Sequence, residues 1–188
     1  MHHNRRHFIK LLAVVAWLLP GCGPTTIKDT ATQAYIPIQG WMLELHRDVT
    51  IPSGRTRVFF QEGRLSHGIN EYKPHCQLRV WDKLGHPQSV RADRFSIEKV
   101  FGSVDQIVSN GQIRLIAAAA VVMGGGGDGD GMSQLMHLYH MQLHADTQPN
   151  VTYLVCGGKL DDPAFAKYPS IQDIRASLGD YATLIIPE

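Results

Sequence analysis

Three histidines lie close together near residue 140, and imidazole is a common protein ligand for zinc and copper. His137, His140 and His144 are spaced by three and four residues, which on a helix would place all three rings on one face. On a strand the trio separates, because His137 would face one way and the other two the opposite way. A turn at Asp146 to Asn150 and the β-rich run Val151 to Cys156 follow, which favours a strand with a hairpin partner. The metal-binding hypothesis therefore depends on a helix that the surrounding sequence disfavours.

A glycine-rich segment, Gly124 to Gly131, precedes these histidines. It contains the G-x-G-x-x-G spacing of dinucleotide-binding loops, but four consecutive glycines produce that spacing by themselves. Asp128 and Asp130 alternate with glycine, yet the ligand series and the closing glutamate of an EF-hand are missing. We expect a surface loop here, and we expect no cofactor.

Common enzyme signatures do not occur in the sequence. It contains no G-x-S-x-G, H-E-x-x-H or C-x-x-C motif, which removes the commonest hydrolase and redox interpretations. Ser66 and His67 are neighbours without a convergent acid nearby in sequence. No catalytic residue is predicted, although a site assembled in space would leave no such pattern.

The elements that must position these residues are mostly strands. Short runs rich in β-branched and aromatic residues alternate with turn signals. Leu43 to Ile51, a turn at Pro52-Ser53-Gly54 and Arg57 to Gln61 predict a hairpin. Further strands are expected within Gln77 to Trp81, Phe95 to Phe101 and Gln112 to Val122. This spacing predicts a mainly β fold, an antiparallel sandwich or barrel, with α+β as the alternative.

One helix is predicted near the C-terminus. Ser170 suits the N-cap position with Asp173 three residues later, and Gly179 can supply a left-handed stop. The apolar residues that would share one face are Ile171, Ile174 and Leu178. Tyr181 to Ile186 then predicts a last strand.

The charge balance argues against a nucleic-acid binder. The whole chain has a formal charge of +1, but three of its basic residues, Arg5, Arg6 and Lys10, precede any acidic one. Without them, 15 basic side chains stand against 17 acidic ones, a balance of −2. Arg55 with Arg57 is the longest basic grouping in the body, too small for the basic face that such a binder needs.

The N-terminus is organised as an export signal. A basic start is followed by nine apolar residues, Leu11 to Leu19, too few to cross a bilayer but typical of a cleaved signal peptide. Leu19-Pro20-Gly21-Cys22 resembles the lipobox of bacterial lipoproteins, with proline departing from the usual small residue. The resemblance implies cleavage before Cys22 and lipid on its thiol, and Gly23 resembles the outer-membrane pattern. Asn4 to Lys10 resembles the twin-arginine export motif, whose first residue differs here.

That resemblance sets the expected chemistry of the remaining cysteines. With Cys22 lipidated, Cys76 and Cys156 remain, and an even number in an oxidising compartment favours a disulfide. Two separate buried thiols are the alternative. A catalytic Cys76 beside His75 is disfavoured, because neighbours on a strand point to opposite faces.

These observations predict a signal peptide at residues 1–21, a lipidated N-terminus and flexible tether at 22–34, and one globular domain at 35–188. The body is also similar to small uncharacterised proteobacterial lipoproteins, in Pro52 to Arg55, Tyr72 to Cys76 and Gln148 to Cys156, a family that implies no activity. We expect a non-enzymatic binding or structural module facing the periplasm, held on the outer membrane through Cys22. Its partner would be another envelope protein or a polymer. The alternative is a periplasmic metal-binding protein or enzyme that uses the three histidines.

Overall fold

The structure is a computed structural model that describes residues 26–108, 115–117 and 133–187. The signal peptide, Cys22, the segment Gly124 to Gly131 and most of the strand expected within Gln112 to Val122 lie outside the described residues. Within them, strands predominate and pair antiparallel, so the predicted mainly β fold is confirmed.

Thirteen strands and one α-helix are present in the described part of the chain. The strands are Thr26–Lys28 (β1), Tyr35–Pro37 (β2), Met42–Leu45 (β3), Val49–Ile51 (β4), Arg57–Gln61 (β5), Arg64–Ser66 (β6), His75–Val80 (β7), Gln88–Val90 (β8), Asp93–Val108 (β9), Leu115–Ala117 (β10), Ser133–His144 (β11), Val151–Gly157 (β12) and Ala182–Ile185 (β13). The helix α1, Ile171–Leu178, leads into a 3-10 turn, Gly179–Tyr181.

Nine of these strands form one sheet in the order β13-β3-β9-β11-β12-β7-β5-β6, with β10 beside β9. The sheet curls into a half-barrel. Helix α1 contacts β13 at one edge and also β5 and β7 near the other edge. Register shifts at Gln142/Leu143 and Val151/Tyr153 contribute to the curl, because a bulge bends its strand and increases the local twist.

The two faces of the curled sheet have different roles. On β7, Cys76, Leu78 and Val80 belong to the main core, which also contains Ile171, Ile174 and Leu178 of α1. His75 and Gln77 alternate with them and point to the second face, as the pleat of a strand requires. That second face carries the candidate site.

Helix α1 forms as the sequence predicts. The Ser170 hydroxyl accepts the backbone N–H of Asp173, whose carboxylate accepts the backbone N–H of Ser170 in return, which completes a capping box. Ile171, Ile174 and Leu178 are buried in the main core. Such an N-cap contributes about 1 kcal/mol to helix stability.

The two cysteines of the body meet as predicted. Cys76 and Cys156 are register partners on β7 and β12. Their sulfur atoms lie at disulfide distance, 2.09 Å apart, and both side chains are fully buried. The bridge therefore joins adjacent strands on the core face of the sheet.

Two predictions about the N-terminal half need correction. The turn at residues 52–54 exists, but β4 pairs with β8 while β5 pairs with β6 and β7, so the predicted hairpin does not form. Long-range partners outcompete the local one. Residues 26–34 of the predicted tether are folded onto the domain: β1 pairs with β2, and the buried carboxylate of Asp29 accepts the backbone N–H of Ile171 at 3.0 Å.

Candidate functional site

A cleft of about 660 Å³ lies on the second face of the sheet. Strand register places one row of its residues side by side across five strands, from β9 to β5. In order, these residues are Phe101, His140, Val155, Gln77 and Phe59. Because the row spans five strands, no local sequence motif could define it.

The centre of the cleft is apolar. Val155 is fully buried, and Met136 and Leu138 are each 4% exposed. These three side chains form a small cluster with Leu160, separate from the main core. Phe59 and Phe101 flank this floor and are only partly buried, so a ligand could contact their rings.

His140 stands at one side of the cleft between an aromatic ring and a hydroxyl. Its imidazole stacks on Phe101 with the ring centres 4.8 Å apart and the planes within 6°. Its Nε2 lies 2.8 Å from the Oγ of Ser103. Burial, and then the positive charge of Arg79, hold the pKa of His140 below its ordinary value of 6.5. The ring is therefore neutral at pH 7, and with its proton on Nδ1 it accepts the Ser103 O–H.

A serine that donates to a neutral histidine is also the nucleophile and base of many hydrolases. Among the described residues, no carboxylate is hydrogen-bonded to His140, so the third member of such a triad is not seen there. Ser103 and His140 place two polar groups beside the apolar floor.

His75 forms part of the cleft wall on β7 and is 2% exposed. Its Nδ1 lies 3.3 Å from the carbonyl oxygen of Lys73, to which a protonated Nδ1 donates. Burial lowers the pKa of this histidine as well. The ring lies against Gly157, where an added Cβ would come within 2.9 Å of both the His75 Cε1 and the Met136 Sδ. Glycine at position 157 therefore makes room for the imidazole.

Charged side chains lie at the two ends of the cleft. Arg57 and Arg79 are direct register partners at one end. The Arg57 Nη1 donates to the Gln77 Oε1 at 3.3 Å, and its guanidinium lies over the Phe59 ring at 5.6 Å. Asp105 lines the other end, together with Glu71. The cleft thus has a cationic end, an apolar centre and an acidic end.

The three histidines singled out in the sequence do not converge. All lie on β11, as the strand alternative required. His137 faces away from the cleft, packs on Tyr168 with ring centres 4.7 Å apart, and has a buried Nδ1 without a partner among the described residues. His144 is exposed and lies 3.2 Å from an Asp146 carboxylate oxygen. No group of three potential metal ligands is present in residues 26–108, 115–117 and 133–187.

Sequence reasoning missed most of the cleft. Ser103, Arg79 and Gln77 were not singled out, and Arg57 was noted only as a local basic residue. The one signal available was period-two alternation, which marks Gln77 and Arg79 as a face opposite to Leu78. That alternation predicts which residues of β7 share a face, but not which strands lie beside it.

No helix in the described part of the chain is long and apolar enough to span a bilayer. No protein-family model, curated protein or solved structure matches the chain.

Proposed function

We propose that this chain is an exported lipoprotein whose domain binds a small molecule with an apolar body in the cleft. The observation that carries the proposal is the cleft itself. Its volume of about 660 Å³ falls within the range of small-molecule sites, and an apolar floor with a few fixed polar groups is their usual composition. The partly exposed rings of Phe59 and Phe101 would contact the ligand, and the buried Val155 and Leu138 form the floor beneath it.

The polar groups around this floor are held in place before any ligand arrives. Ser103 and His140 fix each other at 2.8 Å, and Gln77 is fixed by Arg57 at 3.3 Å. Side chains that are already ordered lose little entropy on binding, which favours affinity. The buried disulfide beneath the floor joins β7 and β12, the strands that carry Gln77 and Val155.

The N-terminal features support an envelope location for this module. The lipobox-like Leu19 to Cys22 would give two or three acyl chains, enough for lasting membrane attachment. Serine at position 22 should abolish labelling with radioactive palmitate, and a Cys22→Ser product that still labels would refute lipidation. Replacing Arg5 and Arg6 with lysine should block export if the twin-arginine route is used, whereas normal export would exclude that route.

The ligand-binding proposal can be tested with N-phenyl-1-naphthylamine, a neutral apolar probe that fluoresces when it leaves water. A Cys22→Ser background removes the acyl chains that would also take up the probe. We expect saturable binding of the probe. Phe59→Ala and Phe101→Ala should each weaken it about fivefold, because each ring would contribute about 1 kcal/mol.

Trp81→Ala is the matched control, since it removes an aromatic ring that is 79% exposed and does not line the cleft. Binding of the probe to other parts of the chain would be common to all variants. Absence of saturable binding, or equal weakening by Trp81→Ala and the cleft variants, would overturn the proposal.

A further inference from the structure

A row of five register partners, three of them cations, crosses the sheet at one end of the cleft. Register pairs Lys99 with Gln142, Gln142 with Tyr153, Tyr153 with Arg79, and Arg79 with Arg57. Three of the five side chains are positively charged and none is acidic. The row lies directly beside the row that contains Phe101, Val155 and Phe59, so it borders the apolar floor.

The pairing of Arg79 with Arg57 is unfavourable by itself. Like charges directly opposite each other on adjacent strands destabilise a sheet. In the described part of the chain no carboxylate pairs with Arg79, a partly buried residue that lines the cleft. The positive charge of Arg79 helps to lower the pKa of His140, which also lines the cleft. Its charge is therefore directed into the cleft.

Arginine has the geometry to use this position. A guanidinium presents a planar fork of N–H donors that matches a carboxylate, phosphate or sulfonate. Arg57 is held by Gln77 at 3.3 Å and lies over the Phe59 ring, so the second fork is also ordered.

We propose that Arg79 binds the anionic group of the cleft's ligand, which makes that ligand a single amphipathic anion. Its apolar body contacts the rings of Phe59 and Phe101 above the floor of Val155 and Leu138, and its charged head lies at the Arg79 guanidinium. This inference rests on the proposed function, because it assigns a substrate class to the same cleft.

Two naphthalene probes of similar size separate the anion subsite from the cleft. 1-Anilinonaphthalene-8-sulfonate carries a sulfonate, and N-phenyl-1-naphthylamine is its uncharged counterpart. In the full chain with Cys22→Ser we expect the sulfonate to bind more tightly than the neutral probe. Arg79→Gln should weaken sulfonate binding about tenfold and neutral binding less than twofold. Arg79→Lys should recover part of the loss, and Arg91→Gln, an exposed arginine outside the cleft, should change neither.

The outcomes distinguish the two proposals. If the sulfonate probe binds no more tightly than the neutral probe, or if Arg79→Gln weakens both probes equally, the anion subsite is wrong. Binding of the neutral probe would then still support the proposed function of the cleft. If neither probe binds, the proposed function fails as well. If Arg79→Gln does not fold, the unsubstituted chain still decides the matter: rising ionic strength must weaken the sulfonate alone, and equal salt dependence of the two probes would overturn the subsite.

Discussion

Loss of the Cys76–Cys156 bridge should destabilise the domain by an amount that follows from its position in the chain. The two cysteines are separated by 80 residues, and the loop-closure entropy of that length is worth about 4.5 kcal/mol at 25 °C. The total free energy of unfolding of a domain of this size is about 5 to 15 kcal/mol. Reduction should therefore bring the protein close to unfolding.

Two perturbations distinguish the stability contributed by the covalent cross-link from that contributed by the packing of the sulfur atoms. Reduction of the unsubstituted chain breaks the bond and keeps both buried sulfurs. Cys76→Ala with Cys156→Ala also removes the sulfurs from a fully buried site, which should cost a further 1 to 2 kcal/mol or so. Alanine is preferred to serine, because a buried hydroxyl would need a partner.

Urea unfolding followed by tryptophan fluorescence measures both changes. Trp41 is 1% exposed and reports loss of the core, whereas Trp81 is already 79% exposed in the folded state. With a slope of about 2 kcal/mol per molar urea, reduction should lower the midpoint by about 2 M. Midpoints within about 0.5 M of each other, or two free thiols by mass spectrometry of the non-reduced protein, would refute the reasoning.

Three further predictions concern two glycines and the histidines whose pKa is lowered. Gly157→Ala should displace His75 from the cleft wall and weaken binding of the neutral probe by severalfold; unchanged affinity would show that this wall does not contact the probe. Gly179→Ala should cost about 1 to 3 kcal/mol in urea unfolding, because φ there is +54° and an added Cβ would lie 2.4 Å from a backbone carbon of the β5–β6 turn. The pKa values of His75, His137 and His140 are lower in the folded protein than in the unfolded chain. Below about pH 6.5 the unfolded chain therefore binds more protons, and the free energy of unfolding should fall. Equal urea midpoints at pH 7.5 and 5 would contradict this.

Local chemistry explains why some elements could be predicted from the sequence. The capping box at Ser170 and the stop at Gly179 act within one helix, so the sequence alone defines α1. Residues 151–156 follow β11 after a short turn, and that hairpin was predicted correctly. The partners of β5 could not be predicted from its local sequence, because β7 is separated from it by β6 and the loop that follows. The predicted hairpin on either side of the turn at residues 52–54 was therefore wrong.

The site was less predictable than the fold for the same reason. His140 attracted attention because of its histidine neighbours, yet its partner Ser103 lies 37 residues away. Arg57 belonged to a basic pair too small to indicate a function until β7 placed Arg79 directly opposite it. Only the order of strands converts these isolated residues into a cleft with a charged end.

We propose the second face of the sheet as the binding face. Titration of isotope-labelled Cys22→Ser protein with N-phenyl-1-naphthylamine, followed by NMR, tests it directly. We predict shifts concentrated at His140, Val155 and Gln77, with little change at the exposed His46 and His86 outside the cleft. Shifts confined to other surfaces, or none at saturating probe, would contradict the account.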